Sequence, residues 1–152
     1  MRASILATLL AFAAVNCAAQ IPNTILATVE PWRILQTKNL MTDKVSCFAI
    51  HTQYPNVQFS PPAIYIDMSR RGGLKGYTYR VDDLSPSQFA IATGVQVRLN
   101  TLVFGEGNLP RVNQNKRLRV QVLTVLDTVS DFDLNMSSAE AAQLIMASEK
   151  CT

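Results

Sequence analysis

The chain has 152 residues, 48% of them hydrophobic and 16% charged, which is enough apolar material for one packed domain and too little charge for a disordered chain. Six glycines and seven prolines exclude a low-complexity or collagen-like sequence. The formal charge of +3 from 14 basic and 11 acidic residues is too small an excess for a nucleic-acid binder that relies on phosphate neutralisation, and one histidine with three cysteines leaves little for a metal site. No metal, other cofactor or nucleic acid is therefore expected.

The N-terminus reads as a secretory signal. Arg2 supplies the positive start, Ile5 to Val15 is apolar and uncharged, and Cys17-Ala18-Ala19 places small residues where a signal peptidase reads. Cleavage is expected between Ala19 and Gln20, leaving a mature protein in the periplasm or outside the cell. The apolar run is too short to span a bilayer comfortably, and no other uncharged stretch approaches the length of a transmembrane helix. Lipidation at Cys17 fits poorly, because Asn16 stands where a small residue is wanted. Cleavage removes Cys17 and leaves an even count, Cys47 and Cys151. In an oxidising compartment two such cysteines are expected to pair, closing a loop worth about 4–5 kcal/mol in the chain-entropy model. The alternative is two unrelated buried thiols.

Along the chain, 20–30 is an apolar leader or edge segment ending at Pro31, and 31–152 forms a single β-rich domain. Trp32 to Leu35 opens it, with Trp32 and Ile34 on one face. Val45 to Thr52 is a strand with Val45, Cys47, Ala49 and His51 on one face and Phe48 and Ile50 on the other. Three prolines between Tyr54 and Pro62 predict that any strand at Val57–Phe59 is short and lies at an edge. Ala63 to Ser69 and Tyr77 to Asp82 both alternate, and around Arg70-Arg71-Gly72-Gly73 they read as a β-hairpin. Asp82 and Asp83 begin a turn. A further strand is expected at Val95–Leu99, then a loop over Phe104–Asn115. Arg117 to Leu126 is the strongest strand signal, with Leu118, Val120, Val122, Thr124 and Leu126 aligned, and Val129 to Met136 returns with Phe132, Leu134 and Met136 aligned. Ser137 to Glu140 has capping-box spacing and opens a helix, Ala139 to Lys150, whose core stripe reads Ala141, Leu144, Ile145 and Ser148. About seven alternating strands with one C-terminal helix predict an antiparallel β-sandwich or rolled sheet.

Catalytic constellations are sparse. His51 shares a face with Cys47 but lies about 13 Å away at 3.3 Å per residue, beyond hydrogen-bond reach. Asp82 and Asp83 point to opposite faces if extended, and Asp131 and Asp133 share the face of their strand opposite its apolar one. No GxSxG, HExxH, Walker or paired CxxC pattern occurs. An enzyme is disfavoured; it would need a free Cys47 thiolate beside His51. The basic residues stand out more. Arg70, Arg71 and Lys75 crowd one turn, with Tyr77, Tyr79 and Arg80 following, and Arg111, Lys116, Arg117 and Arg119 form a second group. Arginine beside tyrosine suits a recognition surface, whereas charge at turns and edges also keeps a β-protein soluble.

Several segments together resemble a group of secreted or periplasmic bacterial proteins. They are Trp32 opening the domain, Met41-Thr42-Asp43-Lys44-Val45-Ser46-Cys47, Arg71-Gly72-Gly73-Leu74-Lys75-Gly76-Tyr77 leading to Tyr79-Arg80-Val81-Asp82-Asp83, and Phe132-Asp133-Leu134 before a helix ending at Cys151. More distantly the layout is similar to the invasion-associated locus B family and to a small accessory protein of type VI secretion clusters. The former carries further cysteines in its second half that this chain lacks, and the apolar spacing between Val95 and Phe104 is looser here. The resemblance implies a non-catalytic envelope protein with a single disulfide and carries over no active site. The expected function is that of an exported binding protein whose partner is a protein or an anionic envelope component, with an immunity or inhibitor protein against a secreted effector or cell-wall hydrolase as the alternative. Oligomeric state is left open by the sequence.

Overall fold

A computed structural model describes residues 23–105 and 117–151. The expected signal segment with Cys17 and its expected cleavage after Ala19, and residues 106–116 with Arg111 and Lys116, lie outside the described residues. Strands β1 (Thr24–Val29), β2 (Trp32–Lys38), β3 (Val45–His51), β4 (Val57–Ser60), β5 (Ala63–Asp67), β6 (Gly76–Val81) and β7 (Ala90–Ile91) precede a short helix α1 (Gly94–Leu99). Then come β8 (Thr101–Phe104), β9 (Arg117–Leu123), β10 (Val129–Asn135), helix α2 (Ala139–Met146) and a 3-10 turn (Glu149–Cys151). They form two antiparallel sheets, one ordered β1-β2-β3-β4-β5-β8 and the other β10-β9-β6-β7.

The sandwich with a C-terminal helix follows from the period-two alternation, which gives each sheet one apolar face. Ile34, Ala49, Phe59, Ile64, Ile66 and Phe104 of the larger sheet meet Tyr77, Val81, Val120, Val122, Phe132 and Leu134 of the smaller one in a single core. Leu118, Val120 and Val122 are buried along β9 and Thr124 just past its end, whereas Leu126, farther into the turn, is exposed. At the far end, Cys151 meets β3 with its Sγ 1.98 Å from that of Cys47, which joins the chain's last turn to the larger sheet across 104 residues.

Four local expectations change. The runs at 63–69 and 76–82 are not a hairpin: β5 pairs with β4 and β8, while β6 pairs with β7 and β9. Both runs have a face that must be buried, and placing them in opposite sheets buries both against each other, so Gly72-Gly73 is a crossing between layers. The Val95–Leu99 segment is helix α1, not a strand. Thr93 Oγ1 accepts from Gln96 N at 3.3 Å and Gln96 Oε1 accepts from Thr93 N at 2.9 Å, a reciprocal cap, and left-handed Asn100 ends the helix. Strand β4 is interior, between β3 and β5, because Pro55, Pro61 and Pro62 flank it and none occupies it. Helix α2 begins after Ser138, which makes no side-chain cap bond, while Ser137 Oγ donates to Asn135 Oδ1. Its buried residues are Ala139, Ala142 and Met146, and Leu144 is exposed. The stripe is thus displaced by one position from the expected one, and small alanines lie where the helix packs on β2.

Candidate functional site

The crossing from β5 to β6 is built by local hydrogen bonds. Asp67 Oδ1 accepts from Ser69 N at 2.8 Å, and Met68 O accepts from both Arg71 N and Gly73 N at 3.0 Å. Gly72 and Gly73 have φ of +92° and +75°, where a side chain is strained, and a Cβ on Gly73 would stand 3.0 Å from Asn100 Oδ1. The crossing is pinned on both sides. Met68 N donates to Asn100 O at 2.7 Å, at the end of α1, and Val125 N donates to Gly72 O at 3.1 Å, in the β9–β10 turn. Three loops therefore converge at one end of the sandwich, carrying Arg70, Arg71 and Lys75, then Arg98, then Val125 and Leu126.

Of the residues expected to form one surface, only the first three stay together. Arg70 and Arg71 are exposed, and the Arg71 guanidinium lies 5.6 Å from the centre of the Phe132 ring. Lys75 is paired with Asp127. Tyr77 is 8% exposed and turns inward, edge-on to Phe104 at 5.6 Å, and half-buried Tyr79 meets the same ring at 5.5 Å. The tyrosines thus separate from the arginines because β6 alternates: Tyr77, Tyr79 and Val81 face the core and Arg80 faces out. That period was present in the sequence. Arg80 stands opposite Arg119 across the strand pair, and one exposed carboxylate, Asp83, lies 3.7 Å and 3.4 Å from them. Tyr54, Tyr79, Arg80, Pro86, Arg119 and Phe132 line a groove of about 370 Å³ beside this pair.

The acidic residues have structural partners. Arg117 binds both carboxylate oxygens of Asp133, and this hydrogen-bonded pairing lowers the Asp133 pKa and raises that of Arg117. Asp131 accepts from Gln121 at 3.0 Å, and Asp82, at φ 45°, accepts from Arg117 N at 2.8 Å in its turn. His51 is buried at the end of β3, edge-on to Trp32 with 5.1 Å between ring centres, and its Nδ1 accepts from Gln53 N at 3.2 Å. Burial lowers its pKa, against an opposing pull from Glu30. With Cys47 at disulfide distance from Cys151, no thiol–imidazole pair forms there. Among the described residues no group of three His, Cys, Asp or Glu is placed to hold a metal ion.

The sequence did not signal the apolar half of the convergent loop end. Phe89, Ile91, Val95, Leu99, Val125 and Leu126 are all more than half exposed. Read as a strand, Val95-Gln96-Val97-Arg98-Leu99 would have buried its apolar face; as a helix it buries Gln96 and leaves Val95 and Leu99 in solvent. No family model matches the chain, and neither does any curated protein or solved structure.

Proposed function

We propose that this chain is an exported, non-catalytic binding module of the bacterial envelope, periplasmic or secreted, whose contact surface is the loop end that carries Arg70 and Arg71. The observation that carries the reading is the state of its charges. Among the described residues Arg33, Lys44, Arg70, Arg71, Arg98 and Lys150 have no carboxylate at ion-pair distance, whereas Lys38, Lys75, Arg80, Arg117 and Arg119 do, and three of the former, Arg70, Arg71 and Arg98, gather at the one loop end. Guanidinium groups with no carboxylate partner beside exposed apolar side chains suit a recognition surface, with Arg71 resting against the Phe132 ring. Export is supported by the N-terminal signal pattern, by the resemblance to secreted bacterial proteins, and by a cysteine pair suited to an oxidising compartment. No helix among the described residues is long and apolar enough to cross a membrane.

The double variant Arg70→Ser/Arg71→Ser tests this reading. Both side chains are exposed and make no ion pair, so the melting temperature should stay within a few degrees while retention by the cell-envelope fraction falls. Unchanged retention would reduce the arginines to a solubility device.

A further inference from the structure

We infer that the loop end of the sandwich docks on an anionic lipid bilayer, with the apolar loop tips entering the headgroup boundary and the arginines meeting lipid phosphates. This rests on the binding reading above and names the partner of the same surface. Ile91 is 80% exposed, Leu126 72% and Leu99 61%, on three different segments. Those segments are all tied to the β5–β6 crossing, since Ala92 N donates to Lys75 O, Met68 N donates to Asn100 O beside Leu99, and Gly72 O accepts from Val125 N beside Leu126. Isolated apolar side chains scattered on a surface are ordinary, but here several gather on one end of the fold, which marks an interaction site.

The chemistry of the occupant follows from the charges. Arg70, Arg71 and Arg98 ring the tips, and the nearest carboxylates, Asp127 and Asp67, are respectively paired with Lys75 and turned to Ser69 N. A second copy of this chain placed on the same face would bring a second set of the same cations close, with Asp67 and Asp127 as the carboxylates of that end to offset them. Leu126 lies in the β9–β10 turn, Leu99 at the end of the six-residue helix α1 and Ile91 in the two-residue strand β7. A lipid interface accepts such side chains one by one, without a matched cavity, and anionic headgroups attract the surrounding cations.

The test is flotation of the full, signal-processed chain with unilamellar vesicles. Phosphatidylcholine alone is compared with phosphatidylcholine carrying about 30 mol% phosphatidylglycerol, a composition that gives a negative surface potential. The wild type should float with the anionic vesicles only, and should be released as salt rises to about 0.5 M. Arg70→Ser/Arg71→Ser/Arg98→Ser should lower partitioning on the order of a hundredfold, since each cation near an anionic surface contributes about fivefold. Leu99→Ser/Leu126→Ser should lower it without changing the melting temperature, because both side chains are already exposed. Absence of wild-type flotation, equal flotation with neutral vesicles, or full flotation of both variants would overturn the lipid assignment. So would sedimentation showing a dimer that Leu126→Ser dissociates. If vesicles fail while envelope retention still depends on Arg70 and Arg71, the partner is a protein and the binding function stands.

Discussion

His51 and Trp32 are opposite each other in the β2–β3 register and pack ring against ring in the core. Burial holds the His51 pKa below its usual 6.5, so the native state binds a proton less readily than the unfolded chain. Its contribution is therefore fully present above pH 6.5 and is lost as pH falls through the folded value. The melting temperature of the wild type should fall between pH 7 and about pH 5, above the range where ordinary carboxylates titrate, and that of His51→Phe should be flatter. Equal slopes for the two proteins would show that His51 is not responsible. Phe132 is 1% exposed and touches Tyr54 on one side and Arg71 on another. Phe132→Ala should cost about 3–5 kcal/mol in chemical denaturation, the usual result of emptying an aromatic core position. Its burial was readable from the alternation of Phe132, Leu134 and Met136. The Arg71 contact was not, since it joins a turn to a strand 61 positions away through tertiary packing.

Helix α1 depends on a cap more than on burial, because Gln96 is the one buried residue it contributes. Thr93→Ala should remove about 1 kcal/mol and speed amide exchange at residues 96–100 more than in β9. Uniform loss across the molecule would contradict a local role. Strand β7 depends on Gly76 in a similar way: a Cβ there would meet Phe89 Cζ at 2.3 Å and the Ala90 carbonyl at 2.7 Å. Gly76→Ala should displace β7 and destabilise by about 1–3 kcal/mol. Most strands were legible because period two is a strong local signal: β9 and β10 bury the residues expected to align, whereas β6 buries Tyr77 and packs Tyr79 on the core although both were expected at the contact surface. Local alternation does not say which sheet a strand joins, and this is why a crossing at Gly72-Gly73 looked like a hairpin. Val95 to Leu99 failed for a related reason. Three apolar residues at alternate positions mimic a strand, and the Thr93/Gln96 pair that decides for helix lies partly outside the pattern. The candidate surface was half legible: Arg70 and Arg71 by composition, its apolar half only after α1 and the β9–β10 turn were seen to converge.

The two sheets share one core, and the Cys47–Cys151 link ties the chain's last turn back to β3. Closing a loop of this length should add about 4–5 kcal/mol in the chain-entropy model. Cys151→Ser, which leaves one thiol, should lower the urea midpoint by a corresponding amount, and an unchanged midpoint would show that α2 is held by packing alone. Arg70, Arg71 and Arg98 lie at the loop end with exposed Ile91, Leu99, Val125 and Leu126, while Leu40, Met41 and Leu144 are exposed elsewhere. Photo-crosslinking in cells from a benzophenone side chain placed at exposed position 69, beside the intact Arg70 and Arg71, compared with one at exposed Lys38 in the β2–β3 region, asks which end makes contact. Adducts from position 69 and none from position 38 are expected; adducts from position 38 alone would contradict the assignment of the Arg70–Arg71 end as the contact surface.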